Sequence, residues 1–288
     1  MKEPEVFCFH RISDEVSPAY QPIPPKTFDK IISYLSKKYF IVPINDISSK
    51  NTTNKPKAVI TFDDAYYDFY EYALPILDKY KIPSVQHVIT SCANDGKTFW
   101  TQRLNKIIDS YFFHKKNIRI PDLNIELSVK SYRETQMSSL KLYYLLLDNP
   151  NRSLFIENIA KNAPDVVEDT KMMNWDNIKD CMKYNVLFGS HTHTHQNLSV
   201  LNEVDLHNEI GLSVGSIRSK IGNCVSLAFP NGYYSVDTIK VALDYNVPFL
   251  FTTEKEHLIP NVNANIITRY SLYHTEWWKN YIRLRFLI

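Results

Sequence analysis

Short β-branched and aromatic runs alternate with longer amphipathic runs along most of the 288 residues, and this alternation limits the fold most strongly. Residues 6–10, 58–62, 84–89, 186–190, 226–229 and 249–252 have the length and composition of strands. Between them, residues 25–39, 63–80, 175–184, 203–221 and 236–245 carry apolar side chains at helical spacing, as with Phe28, Ile31, Ile32 and Leu35. Strand and helix in alternation imply parallel strands joined by crossovers. About seven such units in this length suit a distorted α/β barrel better than an open sheet. In parallel barrels, chemistry collects where strands end at their C-terminal rim.

From about residue 96 to 171 the rhythm breaks into polar helical sequence with Phe99, Trp100, Tyr111, Tyr143 and Tyr144. Strands resume afterwards, so the expectation is one barrel domain over 1–288 with a helical insert. Cys8, Cys92, Cys181 and Cys224 are scattered without CxxC spacing, which argues for buried thiols. With 33 basic and 31 acidic residues, the chain lacks the footprint of a nucleic-acid binder. No run approaches the roughly 20 apolar residues of a membrane span. No leader is visible after Met1, so a cytoplasmic protein is expected, with peripheral membrane association left open. The oligomeric state is left open too.

Two motifs follow apolar runs. Thr61-Phe62-Asp63-Asp64 ends the second strand, and two adjacent carboxylates there point different ways, so one can hold a metal while the other stays a base. Alone, an Asp-Asp pair is more often a surface turn. His191-Thr192-His193-Thr194-His195 ends the run 186–190. Its outer histidines, four apart, can face one side of a turning chain, while His193 points elsewhere. Two imidazoles and a carboxylate form a three-ligand set with positions open for water and substrate. A metal held there would polarise a carbonyl and lower the pKa of a water.

Both motifs, in this order and spacing, resemble those of the polysaccharide deacetylases, the NodB-homology carbohydrate esterases. Ala73-Leu74-Pro75-Ile76-Leu77, Lys81-Ile82-Pro83 and Trp175-Asp176 resemble the family's flanking sequence. The resemblance implies a metal-dependent carbohydrate N-deacetylase with Asp63 as base and Asp64, His191 and His195 as ligands. The implied cofactor is one divalent ion, zinc first, with cobalt or nickel as alternatives. Ala228-Phe229-Pro230-Asn231-Gly232 is similar to the family's third motif, so Pro230 and Asn231 are expected at the substrate, the Asn231 N–H serving an oxyanion hole. Many relatives carry Arg where Ala228 stands, which leaves open how Asp63 is oriented. The subgroup acting on biofilm poly-N-acetylglucosamine also tends to lack that Arg, and its N-terminal Tyr-His motif resembles Phe9-His10. That subgroup is circularly permuted, with the His-bearing strand at the front.

His10 is therefore the expected general acid, opposite Asp63 across the metal. His274 is the rival, on a C-terminal stretch read as lacking a clear strand and helix. Arg269 is assigned to the substrate pocket, and Gln86 and His87 receive no role although they replace apolar residues common in that strand. The expected substrate is an N-acetylated amino sugar of a surface glycan or its precursor. The alternatives are an amide hydrolase on a non-sugar substrate and a catalytically weak glycan-binding homologue.

Overall fold

The structure is a computed structural model describing residues 4–50, 53–165, 168–253 and 265–286. It divides into two compact units, one of residues 1–14, 23–96 and 172–288, the other of residues 15–22 and 97–171.

Among the described residues, the larger unit holds nine parallel strands: β1 (Glu5–Phe9), β2 (Phe40–Ile41), β3 (Lys57–Phe62), β4 (Ser84–Val88), and after the second unit β7 (Val186–Ser190), β8 (Leu227–Ala228), β9 (Leu250–Thr252), β10 (Ile266–Thr268) and β11 (Tyr270–Ser271). The sheet runs β10-β9-β8-β7-β4-β3-β1-β11, with β2 also on β3. Its two ends, β10 and β11, are halves of one extended stretch broken only at Arg269. The first half pairs with β9 and the second with β1, so the hydrogen-bonded order returns to its start. Counting that stretch once gives a distorted seven-strand ring with β2 as an extra edge, as the alternating sequence implies.

Every residue of β1 after Glu5, and all of β3 and β4, are buried, which is why these strands read as near-continuous apolar runs. Alternation along each strand separates two layers. Phe7, Phe9, Ile60, Phe62, Phe188 and Leu227 pack in the largest apolar cluster, with Phe28, Ile31, Ile32 and Leu35 of helix Pro25–Lys38. Val6, Val59, Val85, Ala228 and Phe251 form a separate cluster on the other face. Further along that second face the side chains become polar, at Cys8, Thr61 and His87, all fully buried.

The C-terminal stretch differs from expectation. It contains the closing strand pair and then a helix, Trp277–Phe286, with Asn280 and Leu284 buried. Two halves of two or three residues, split by a charged Arg269, are too short to give a strand signal.

The smaller unit is built from helices Trp100–Phe113, Tyr132–Leu146 and Arg152–Lys161 around Leu104, Ile107, Ile108, Leu142, Leu146 and Ile156. It also contains an antiparallel hairpin, β5 (Ile118–Ile120) with β6 (Ile125–Leu127), which periodicity did not announce. Asp109 is buried in this unit, accepting from Ser17 Oγ at 2.6 Å and from the Ala19 N–H at 2.8 Å.

Candidate metal and catalytic site

β3 delivers Asp63 and Asp64 to its C-terminal end, and Asp64 and Ala65 both take positive φ (72° and 61°). That sharp left-handed turn separates the two carboxylates. Asp64 Oδ1 lies 3.4 Å from His191 Nε2 and 3.6 Å from His195 Nε2, with all three side chains buried. Atoms held about 2.1 Å from one tetrahedral ion stand roughly 3.4 Å apart, so the three fit a shared metal. Asp64 Oδ1 has no hydrogen-bond partner among the described residues. Burial, followed by the negative charge of Asp63, holds the Asp64 carboxyl well above the usual carboxylate range. An oxygen buried without a partner and facing two imidazole nitrogens belongs to a donor set that a divalent cation would satisfy.

The imidazoles are prepared in the same sense. His191 Nδ1 lies 2.8 Å from the Ala228 carbonyl, and donating there leaves Nε2 as the free lone pair facing Asp64. Burial lowers His191 to about 4, and burial together with His191 lowers His195 well below the ordinary histidine value. Both are therefore neutral, the state in which histidine ligates. His193 turns to Thr90 Oγ1, 3.0 Å away.

The loop that carries them is strained at Thr192 (φ 67°) and His195 (φ 61°). It is held by the buried Glu209, whose carboxylate accepts from the His193 N–H (3.1 Å), the Thr194 N–H (2.8 Å) and Thr194 Oγ1 (2.5 Å). Glu209 carried no signal in the sequence, because an isolated glutamate in a helical run reads as surface.

Asp63 is gripped from three strands. Arg269 Nη1 and Nη2 donate to Oδ1 and Oδ2, both at 2.7 Å, in a bidentate pair. His87 Nδ1 lies 2.8 Å from Oδ1 and its Nε2 is 2.9 Å from Ser226 Oγ; the neutral tautomer that donates to Asp63 accepts from the serine. Cys8 Sγ approaches Oδ2 at 3.5 Å, and the Gln86 amide donates to the Asp63 carbonyl at 3.2 Å. Burial alone would raise the Asp63 pKa, but the charge of Arg269 and the imidazoles overcome it and hold the carboxylate well below its usual range. Gly189 leaves the room for this packing, since a Cβ there would stand 2.6 Å from the His87 ring and 2.4 Å from Ser226 Oγ.

Arg269, expected at the substrate, is thus 3% exposed with both terminal nitrogens on Asp63. It supplies the orientation that Ala228 cannot. Gln86 and His87 were also missed as Asp63 partners, although polar residues in a wholly buried strand are themselves a signal.

His10 also departs from expectation. Its Nε2 lies 3.9 Å from Asp63 Oδ2, beside the aspartate rather than across from it. The register explains this: β1 pairs with β3 at Phe9↔Phe62, so the next residues, His10 and Asp63, leave neighbouring strands side by side. The His10 side chain is 28% exposed. Burial lowers its pKa, partly offset by the Asp63 charge. His274 is engaged elsewhere, its backbone bonded both ways to the Asn280 side chain and its ring against Tyr273. Pro230 is buried, and Asn231 takes left-handed φ/ψ (58°, 7°) in a tight turn before Gly232 (φ 79°). The Asn231 Nδ2 is buried without a hydrogen-bond partner among the described residues.

Fold and site together define an α/β-barrel protein with a candidate metal centre and a fixed carboxylate at the strand ends. The polysaccharide deacetylase family pattern matches residues 50–141 and 151–250, and the chain belongs to that family. Membership supports carbohydrate deacetylase activity, a hydrolytic reaction. None of the curated proteins matches the chain. Among solved structures it is similar in fold to the Streptococcus pyogenes deacetylase PplD in complex with acetate (15% identity, 97% of this chain and 96% of that one, TM-score 0.63). It is also similar to IcaB from Ammonifex degensii (16%, 96% and 94%, TM-score 0.61) and to a de-N-acetylase from Aggregatibacter actinomycetemcomitans (17%, 96% and 99%, TM-score 0.56).

Proposed function

We propose that this chain is a metal-dependent N-deacetylase of N-acetylated amino sugars in a surface glycan or its precursor. The observation that carries the reading is a fixed, charged Asp63 beside a second carboxylate, Asp64, that shares its space with two neutral imidazoles. Asp64, His191 and His195 would hold one divalent ion, zinc before cobalt or nickel given the nitrogen and oxygen donors. When bound, that ion would polarise the acetyl carbonyl and lower the pKa of the attacking water toward about 7.

The chain's own residues would do the rest. Asp63, kept ionised by Arg269, accepts the proton of the water as it attacks; the bidentate grip keeps its oxygens from rotating away. The low pKa makes Asp63 a weak base, so the reading requires the water to be acidified as well. His10, partly exposed and next to Asp63, gives a proton to the departing amine, and its closeness lets the proton taken by Asp63 return. The N–H of Asn231 would donate to the acetyl oxygen as charge develops on it. A cytoplasmic site of action remains part of the proposal.

The test is acetate release from a panel of N-acetylated sugars, simple amides included, with and without chelator. Release from amides but not sugars would favour the non-sugar hydrolase. Glycan binding with no release would favour the binding homologue.

A further inference from the structure

The helix Trp277–Phe286 packs alongside helix Pro25–Lys38 on one flank of the barrel unit. Tyr34 meets Trp277 at 5.8 Å and Tyr281 at 5.5 Å, ring centre to ring centre. Thr27 Oγ1 donates to the Thr275 carbonyl (2.8 Å) near the start of both helices, and Lys38 Nζ donates to the Leu284 carbonyl (3.2 Å) near their ends. The two therefore run parallel, and their outer faces form one surface.

That surface is patterned. Trp278, Ile282 and Phe286 recur every fourth residue, opposite the buried Asn280 and Leu284, and are 58%, 40% and 64% exposed. Such spacing stacks them in one row along the helix. Arg285 stands on one side of the row, Lys279 and Arg283 on the other. On the neighbouring helix, Lys26, Lys30 and Lys37 are all exposed and project opposite the buried Phe28, Ile31, Ile32 and Leu35. Two acidic residues share this region, and each is already paired with a lysine: Asp29 with Lys79 at 2.8 Å, Glu276 with Lys279 at 2.7 Å. This face therefore carries a local excess of positive charge, although the chain as a whole is nearly neutral at +2.

We infer that this two-helix face docks on the surface of an anionic lipid bilayer, with the Trp278–Ile282–Phe286 row in the headgroup boundary and the lysine row on the lipid charges. An exposed apolar row containing Trp and flanked by Lys and Arg is the chemistry that lies in a bilayer interface. The charge excess selects lipid over a second copy of the chain, which would bring the same cations to the contact. No helix among the described residues is long and apolar enough to cross a membrane. The inference stands independently of the deacetylase reading.

Co-sedimentation with phosphatidylcholine vesicles, with and without phosphatidylglycerol, tests it at low and at high salt. Binding should be at least about tenfold tighter to the anionic vesicles and should fall at high salt, each cation near the surface contributing. The double variant W278S/F286S should lose vesicle binding. The triple variant K26E/K30E/K37E, altered only at exposed positions, should lose the preference for phosphatidylglycerol. Absence of binding, equal binding to both vesicles, or binding unchanged in both variants overturns the inference. So does a concentration-dependent dimer that W278S/F286S dissolves, because the face would then be a subunit contact.

Discussion

Arg269 and Asp63 are joined by two parallel hydrogen bonds of 2.7 Å, although 206 residues separate them in the chain. Both are buried, so neither can be released without exposing an unpaired charge to the barrel interior. Arg269→Leu is expected to cost about 3–5 kcal/mol of stability, the scale for breaking a buried pair. It should also lower turnover by roughly 10²-fold. Arg269→Lys keeps the charge without the fork and should recover stability better than turnover. Urea unfolding and acetate release, measured side by side, check both.

The two aspartates should separate cleanly. Asp63→Asn should keep metal affinity and lose most turnover, whereas Asp64→Asn should lose metal first. Metal content after dialysis and rate at saturating metal are the measurements; equal losses in both variants contradict the division. Acid stability gives a second handle. The folded Asp63 carboxylate titrates well below its unfolded value of about 4, so its contribution is complete above that value and disappears as pH falls below it. Asp63→Asn should therefore flatten the acid limb of the stability–pH curve.

His10→Ala should lower turnover by roughly 10²-fold, the usual scale for a general acid. His274→Ala should change it little, because the His274 ring lies against Tyr273 rather than beside Asp63. Neither change should release metal. Comparison at equal metal content decides the matter, and a large loss only at His274 would move the proton donor to the C-terminal stretch.

Glu209 accepts three hydrogen bonds from His193 and Thr194, inside the loop that ends in His195. Glu209→Ala should weaken metal affinity by about 10- to 100-fold, as removal of outer partners of metal ligands does. Competition against a chromogenic chelator, at a temperature where both proteins are folded, measures it. Unchanged affinity would reduce Glu209 to a structural residue.

What could be read in advance follows from what is local. Asp63, Asp64, His191 and His195 stand in short motifs at strand ends, and the strands on which they ride announce themselves by burial on both faces. The partners of Asp63 could not be read in the same way. Arg269 reaches it only because the 266–271 stretch closes the ring against β1, and His87 only because β4 neighbours β3. Such contacts depend on strand order. The same dependence misplaced His10, which register sets beside Asp63. The helix Trp277–Phe286 gives little periodic signal because its bulky residues are spread over exposed and buried faces alike.

The most direct test of the central claim is acetate release from N-acetylglucosamine oligomers by the purified chain, stripped with chelator and then reloaded with zinc, cobalt or nickel. Release should vanish on stripping, return with at least one of these ions, and fail to return in Asp64→Asn at the same ion concentration. Undiminished release from the stripped protein, or full recovery in Asp64→Asn, would contradict a metal-dependent deacetylase built on Asp64, His191 and His195.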